Sequence, residues 1–525
     1  VTLRALTDAP GLDVTGVFIP AAPGALEAKD LEKLDRVFSE YSLNRRPAAA
    51  RFPQFPFLER GSESALPASA SLHDLNLIQE PLEPNDFDES SPLSLPSRVK
   101  RALATTSRQR QVDDVKERLA KRGKELKQEP PLDPTKLAAA FQDGEEFEDA
   151  KDMLSSVGVV HIDGNGVGAI MRDLGSAHSE AQEAGVCISA DEVHTEPNDA
   201  LQAFIMVVNK RLDKTVKDAI ALSWYDVQEL TPDTVVPIVP VLVGGDDVTV
   251  YTDGRFAIPF AEAYIRHYEE LTDKDELLKQ LAVVAGAKKP GTLTASAGVA
   301  IVGRNFPFHI AYDLAEGLVS RGKKLGKKKG EVPCSTIDFH VLRDATVLDP
   351  EDTLDEYKGR TQRPFLVGHY APERIGEAPT TSSTAGSPQT QDQWKQILRA
   401  VAAFDGKKPD DPTQTTGDPF PRARANRIVK LLAEGKEEKA TTEWGDALQN
   451  APSARLLAKQ LKLLPPQSSS SNEAGESLEQ IKWLLDLIDL SGNLPDGYLA
   501  SRISGDADCV GSQEAADTSI AGGAQ

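Results

Sequence analysis

The chain has 525 residues, 40% of them hydrophobic and 27% charged, and its 81 Asp and Glu against 59 Lys and Arg give a net charge of −22. This length predicts two to four domains. The negative charge excludes a protein that coats nucleic acid over its whole surface, but it is compatible with a local basic groove. The three cysteines, Cys187, Cys334 and Cys509, are too widely spaced for a disulfide framework or a cysteine-rich zinc site. Because there is no apolar run of about 18 residues and no secretory signal at the start, we expect a cytoplasmic protein that does not enter a membrane.

Residues 1–79 are predicted to form a small α/β unit. LDVTGVFIPA (12–21) alternates like a strand, and ALEAKDLEKLDRVFSEY (25–41) has the apolar spacing of a helix. A basic helical segment is predicted at 98–150, beyond a polar, proline-rich linker. Its residues 98–127 contain eleven Lys and Arg against four acids. This pattern fits a solvated helix that pairs with an acidic neighbour, or a contact to RNA or to an acidic partner subunit.

The region 151–350 has the most regular alternation of predicted strands and helices. The strands are expected at 157–163, 235–245, 248–253, 292–303 and 334–342, and the helices at a short segment ending near 174, then at 201–222, 256–271 and 310–330. The order β-α-α-β-β-α-β-α-β is typical of a ferredoxin-like palm with an inserted helix. We therefore expect an α+β fold whose mixed or antiparallel sheet carries its helices on one face.

The last third of the chain is predicted to be a helical domain separate from the palm. Residues 372–393 have the composition of a flexible linker, and 394–491 contain amphipathic helices. Residues 492–525 have little apolar surface to bury and are predicted to be a disordered tail.

Two acidic motifs in the palm region predict its chemistry. The sequence GGDD (244–247) lies on a tight turn between two apolar strands, and Asp163 ends another apolar strand before the turn GNG. If these strands are neighbours, the carboxylates of Asp163, Asp246 and Asp247 come within about 8 Å of one another. Their hard oxygens suit Mg²⁺ or Mn²⁺. Either motif alone is common on solvated turns, whereas both in one domain predict two-metal nucleotidyl transfer.

The residues around these acids are expected to hold the nucleotide. Amides at a helix N-terminus cradle phosphate oxygens, glycines at a hairpin tip leave room for a nucleotide, and a lysine neutralises phosphate charge. The residues predicted to contact the nucleotide in these ways are Gly164, Asn165, Gly166, Gly244, Gly245 and Lys323.

The motifs of this region resemble those of one known family. They are HIDGNGVGAI, VLVGGDDVTVY, TASAGVAIV, LAEGLVSRGKK and STIDFHVL. They look like the second palm domain of the large, polymerase-like subunit of type III CRISPR effector complexes, which is related to GGDEF nucleotide cyclases. The resemblance covers about 155–345. It extends more loosely to GLDVTGVFIP and RFPQFPFLERGSESALPAS, which resemble the first palm of that subunit and the segment after it.

This resemblance implies a function and a set of partners. In that family the palm converts ATP into cyclic oligoadenylates in antiviral defence, when the complex holds a target RNA. The implied partners are ATP, guide and target RNA, and the other effector subunits. The implied roles are metal ligand for Asp163, metal and catalytic acids for Asp246 and Asp247, and triphosphate contact for Lys323.

The sequence also departs from that family. Asn165 replaces an acid that relatives often carry in this turn, and ERGSESALP (59–67) lacks their cysteines, so no zinc is expected. His73 and Asp74 form the only His-Asp pair, without the further ligands that an HD nuclease needs.

Three alternatives to this interpretation arise from the same motifs. One is a catalytically weak palm that serves as a scaffold subunit, and another is a GGDEF-like dinucleotide cyclase. A viral-type RNA polymerase is disfavoured because Gly168 stands where its second acid is expected.

Overall fold

The computed structural model describes residues 16–20, 26–44, 57–64, 66–72, 91–127, 156–186, 200–230, 238–287, 290–326, 334–342, 354, 360–368, 390–464, 473–495 and 497–504. The chain divides into two compact units, Val1–Asp114 with Ile188–Val207, and Val115–Cys187 with Val208–Gln525. Within the described residues, none of the helices combines the length and the apolar character that crossing a membrane requires.

The secondary structure elements are numbered here along the chain. The helices are α1 (Ala28–Leu43), α2 (Leu95–Ala120), α3 (Val167–Arg172), α4 (Leu174–Glu183), α5 (Ala200–Gln228), α6 (Gly254–Asp273), α7 (Glu276–Val284), α8 (Phe308–Gly326), α9 (Thr390–Phe404), α10 (Arg422–Ala433), α11 (Glu437–Asn450), α12 (Pro452–Leu461), α13 (Glu473–Ile481), α14 (Leu484–Gly492) and α15 (Tyr498–Ile503). The strands are β1 (Ser156–Gly164), β2 (Ile238–Gly244), β3 (Asp247–Asp253), β4 (Ala295–Gly303), β5 (Ser335–Val341), β6 (Phe365–Val367), β7 (Lys407–Lys408) and β8 (Asp411–Thr415).

The first unit contains the predicted N-terminal helix, whereas the described part of the predicted strand is not a strand. Helix α1 covers most of 25–41, whereas 16–20, the described part of the predicted strand 12–21, is irregular. In the described part of this unit, β-pairing is limited to two isolated bridges, Arg60 with Pro67 and Ala68 with Ser94. An alternating pattern predicts a strand only if a partner strand lies beside it, which the sequence does not reveal. The pair His73 and Asp74 lies outside the described residues.

The second unit is built on a six-stranded mixed sheet. Its strand order is β2-β3-β1-β4-β5-β6, with β1 antiparallel to β3 and β4, and β5 parallel to β4. The part β2-β3-β1-β4 has the ferredoxin-like order predicted for a palm. The mixed α+β fold predicted from the sequence is therefore confirmed.

The two faces of this sheet are covered by different helices. Gly158 packs against α6, because a Cβ there would lie 2.4 Å from Ala257. Its neighbour Val159 points the other way and packs with Leu314 and Leu318 of α8. The expectation that all helices lie on one face is therefore wrong. The physical reason is that β1 is buried on both sides along most of its length, so both faces need a cover.

The end of the basic segment pairs with an acid of α5. Arg118 and Arg122 donate to the two oxygens of Asp218 at 2.8 and 3.0 Å. Burial alone would raise the pKa of Asp218, but the hydrogen bonds and charges of both arginines outweigh it and lower the pKa. For these two residues the structure favours pairing with an acidic neighbour. Residues 128–150 of the predicted segment lie outside the described part.

The C-terminal helices belong to the same compact unit as the palm, in contrast to the predicted separate domain. Strand β6 joins them to the sheet, since Phe365 lies between the rings of Trp394 and Trp483, at 6.1 and 5.7 Å. The β7-β8 hairpin also interrupts 394–464, a stretch expected to be entirely helical. Residues 372–389 of the predicted linker lie outside the described part.

The beginning of the predicted disordered tail is ordered. Tyr498 of α15 is buried, and Arg502 donates to Glu262 of α6 at 2.5 Å. The prediction that disorder begins at 492 is therefore wrong. The prediction used the average composition of the whole tail, whereas the apolar side chains that this helix buries are concentrated in a few residues. Residues 505–525 lie outside the described part.

A buried ion group also fastens the C-terminal helices to the sheet. Arg363, just before β6, contacts Asp486 at 2.7 Å and Asp489 at 3.0 Å, both on α14. The backbone N–H of Gln362 donates to the other oxygen of Asp486 at 2.7 Å. Two carboxylates share one guanidinium here without access to water. Burial raises the pKa of Asp486 to about 7, against the opposing effect of Arg363.

This raised pKa predicts a pH-dependent stability. Above the unfolded pKa of about 4, the folded chain retains a proton on Asp486 that the unfolded chain loses. Stability should therefore fall as the pH rises from 5 through 7, by on the order of 3 kcal/mol. Melting curves between pH 5 and 8 should show this decline in the wild type. The variant Asp486→Asn, which still accepts from Gln362, should flatten it. A decline of equal size in both proteins would contradict the assignment to Asp486.

Candidate functional site

The two predicted acidic motifs meet at one end of the sheet. Asp163, near the end of β1, lies directly opposite Asp247, the first residue of β3. Opposite residues of antiparallel neighbours have Cβ atoms about 5 Å apart and share a face of the sheet. The predicted convergence of these two carboxylates therefore follows from the strand register.

Asp246 approaches Asp163 from the other side of β1. A Cβ on Gly164 would lie 3.0 Å from the Asp246 Cβ and 2.7 Å from Val167. Because Gly164 follows Asp163 on the strand, its missing side chain would point to the opposite face. Gly164 is thus required for the packing of Asp246 rather than only for the approach of a nucleotide.

The tip of the GGDD hairpin is open. Gly244 and Gly245 are exposed, and a Cβ on either would meet no atom within 4 Å. Gly245 has a φ of 65°, which favours glycine at this turn. Both residues thus leave the space beside Asp246 and Asp247 that the sequence predicts.

Lys323 of α8 reaches the same site and forms an ion pair with Asp163. The helix lies close to the sheet at this point, since a Cβ on Gly322 would be only 2.6 Å from the hydroxyl of Thr336. Lys324, the next residue, is exposed. The close approach at Gly322 therefore places one lysine of this helix over the acidic site and leaves the other in solvent.

Asn165 turns inward rather than toward a nucleotide. Its side chain donates to the hydroxyl of Thr294 at 3.1 Å and to the carbonyl of Cys334 at 3.3 Å, and it accepts from the hydroxyl of Ser296 at 3.0 Å. Its backbone N–H donates to the carbonyl of Thr294 at 2.8 Å. These bonds tie the turn after β1 to β4 and the start of β5. Neither the side chain nor this amide is left to bind a phosphate.

Gly166 also has a structural reason to be glycine. Its φ is 82°, and a Cβ there would lie 2.6 Å from that of Ala285. It begins α3, which has only six residues. The predicted phosphate cradle of Gly164, Asn165 and Gly166 therefore finds little support in the geometry of this turn.

The site concentrates negative charge. Burial raises the pKa of Asp246, and the charges of Asp163 and Asp247 raise it further. Burial also raises the pKa of Asp247, as does Asp163, whereas His161 and Lys323 act in the opposite direction. Carboxylates crowded in this way lose their mutual repulsion when a cation lies between them.

These oxygens fit a divalent cation only in part. In the described part of the chain, no three Asp, Glu, His or Cys side chains are already arranged to hold a metal ion. The carboxylate of Asp163 is also paired with the ammonium group of Lys323. The donor set of hard carboxylate oxygens nevertheless suits Mg²⁺ or Mn²⁺. Asp163 and Asp247, which are paired across the two strands, would hold the ion, and Asp246 lies close to both.

Two side chains beside this site were not predicted from the sequence. His161, two residues before Asp163 on β1, shares its face and lies 3.6 Å from Asp247. Tyr312 of α8 packs edge-on against the His161 ring at 5.2 Å. The alternation of β1 contains a signal for His161, because residues two apart on a strand face the same way. No pattern along the chain indicates Tyr312, which is 151 positions away.

Comparison with models of protein families identifies a palm domain in this chain. Residues 156–332 match the family model described as Cas10/Cmr2, second palm domain. No curated protein matches the sequence. A solved structure with a similar fold is that of a Csm1-Csm4 cassette in complex with cA4, at 10% identity and a TM-score of 0.28. That similarity covers 64% of this chain and 36% of the other, so the chain spans about a third of the length of that protein.

The matched segment contains β1 to β4, helix α8, the Asp163–Asp247 pair and Lys323. The family match rather than the structural likeness therefore carries the assignment, and residues 156–332 form a Cas10-like palm domain.

Proposed function

We propose that this palm is a metal-dependent nucleotidyltransferase that converts ATP into cyclic oligoadenylate within a multi-subunit CRISPR effector complex holding guide and target RNA. The observation that carries the proposal is the direct pairing of Asp163 with Asp247 across neighbouring strands, beside an open Gly-Gly turn. A purely structural palm has no need to bring carboxylates together in this way, because their repulsion opposes folding.

The side chains have separate tasks in this proposal. A bound Mg²⁺ or Mn²⁺ would neutralise the carboxylates and the triphosphate. Asp163 and Asp247 would hold that ion, and Lys323 would exchange its partner Asp163 for phosphate oxygens. Asp246, whose pKa is raised mainly by burial, is suited to accept the proton of the attacking 3′-hydroxyl. The new bond joins this oxygen to the α-phosphorus, and pyrophosphate leaves.

The proposal is tested by incubating the protein, with its partner subunits and a target RNA, with ATP or GTP and Mg²⁺ or Mn²⁺. We expect oligoadenylate from ATP, no product from either nucleotide in EDTA, and little from GTP. A dinucleotide made from GTP would instead support the GGDEF-like alternative.

The scaffold alternative also has an observation in its favour. Lys323 already neutralises Asp163, and Asn165 is fully engaged by protein groups. A palm that serves only as a scaffold would make no product from either nucleotide, and its melting temperature would not respond to ATP with Mg²⁺. That combination of results would overturn the proposed activity.

Lys323→Met should weaken the binding of ATP with Mg²⁺ by about tenfold or more, because a charge-assisted contact to phosphate contributes about 1.5–3 kcal/mol. Adenosine binding should not change, since adenosine has no phosphate. Calorimetry with both ligands separates the two effects. The control is Lys324→Met, the same change at the exposed neighbour. If adenosine binding falls as much as ATP binding, Lys323 has a structural role.

A further inference from the structure

The Asp247 carboxylate has one buried and one accessible side. Its Oδ1 is buried and accepts no hydrogen bond, although the side chain as a whole is 43% exposed. The solvent-exposed area therefore belongs to the rest of the side chain, including Oδ2. The group that faces Oδ1 is Nε2 of His161, at 3.6 Å. This separation is longer than a hydrogen bond, so a small rotation of the Asp247 side chain is needed to form one.

The ring of His161 is fixed from several directions. It is buried, and its Nδ1 lies 3.0 Å from the hydroxyl of Thr249, which is directly opposite it on β3. The ring of Tyr312 packs against its side at 60°. The imidazole can therefore change neither its position nor the nitrogen that faces Asp247.

The surroundings select one tautomer of the neutral imidazole. A proton on Nδ1 would turn the lone pair of Nε2 toward the Asp247 carboxylate, which is repulsive. A proton on Nε2 is attracted by Oδ1 and leaves Nδ1 to accept from the Thr249 hydroxyl. The partner of one ring nitrogen thereby decides what the other nitrogen offers.

We propose that His161 is a positioning residue, whose Nε2–H holds Oδ1 of Asp247 so that Oδ2 faces the divalent cation of the proposed transfer reaction. This inference rests on the proposed function, because a positioned carboxylate matters only if the site holds a cation. Groups that orient a metal ligand typically change metal affinity 10- to 100-fold when they are removed. The sequence pattern H-x-D-G on β1 and D-x-T on β3 encodes the arrangement, since each pair of residues shares one face of the sheet.

The test measures Mn²⁺ binding to the full chain by electron paramagnetic resonance. His161→Phe keeps a ring against Tyr312 but has no N–H, and should weaken Mn²⁺ binding at least tenfold. His161→Gln places an amide N–H near the former Nε2 and should recover most of the affinity. Thr249→Val leaves the histidine without its hydroxyl donor and should give an intermediate value. The matched control is Tyr312→Phe, which keeps the ring contact and should bind like the wild type.

A second measurement is made on the wild type and uses His161→Phe only to assign one signal. Nitrogen-15 NMR of histidine-labelled wild type should show one residue in the Nε2–H form, identified by its loss in His161→Phe. An Nε2 without a proton would overturn the proposal, as would wild-type Mn²⁺ affinity in His161→Phe, or equal losses in the Phe and Gln variants. If Mn²⁺ binding to the wild type does not differ from that to Asp247→Asn, the proposed function fails together with this inference. Normal binding that is insensitive to His161 overturns the inference alone.

Discussion

Replacing Asp247 with Asn should lower oligoadenylate formation by on the order of 10³-fold when partner subunits and target RNA are present, because the loss of a metal ligand removes several kcal/mol of transition-state stabilisation. Asn is nearly the same size as Asp, so the register of β3 against β1 should persist. The initial rate of product formation from ATP measures the effect. Asp418→Asn, the same chemical change at an exposed residue of the C-terminal helical part, is the matched control.

The same substitution should leave the melting temperature unchanged or raise it. Burial and then the charge of Asp163 raise the pKa of Asp247, which means that its ionised form is disfavoured in the folded chain. A neutral amide at this position removes the repulsion with Asp163. If Asp247→Asn melts well below the wild type without any metal, the carboxylate holds the fold, and its catalytic role is wrong.

Replacing Arg363 with Met should destabilise the chain by about 3–5 kcal/mol, because it leaves two buried carboxylates without their shared cation. Asp486 and Asp489 are both nearly inaccessible, and the same guanidinium donates to the carbonyl of Phe339 on β5 at 2.6 Å. Denaturant unfolding followed by circular dichroism measures the loss. The double variant Arg363→Met with Asp486→Asn should recover part of it, since an amide at this position never has to take up a proton in order to be buried.

The matched control for Arg363 is Arg399→Met in α9. Arg399 also pairs with an aspartate, Asp410 at 3.2 Å, but that partner is 74% exposed. Surface pairs of this kind contribute about 0–1 kcal/mol. Equal losses in the two variants would show that burial does not set the strength of the Arg363 group.

Much of the palm could be predicted from the sequence, because its elements are long and strongly patterned. The apolar run before Asp163 and the GGDD turn between two apolar strands indicate β1 and the β2-β3 hairpin without knowledge of their neighbours. A ferredoxin-like connection makes β1 and β3 adjacent, and so brings Asp163 and Asp247 together. The charge of Lys323 and its place on a returning helix were likewise visible along the chain.

Other features depend on contacts between residues far apart in the sequence. Asn165 was expected to face a nucleotide, yet its three hydrogen-bonding partners all follow it by more than a hundred residues. The pattern of residues 12–21 predicted a strand, but its described part, 16–20, is irregular, because a strand forms only where a partner offers hydrogen bonds. Strand β6 has only three residues and so carries no periodic signal of its own.

The sequence by itself determined the palm, its ferredoxin-like strands β1 to β4 and the acids that meet at the end of its sheet, since alternation and turn residues act over short distances along the chain. Only the tertiary structure decided that α8 covers the face opposite α6, that Asp246 packs over Gly164, and that His161 faces Asp247. It also decided that Arg363, just before β6, pairs with two aspartates of the C-terminal helix α14. Periodicity reports which residues are buried, whereas the partner of each buried group is set by packing between distant segments, where unpaired charges and empty space are both costly.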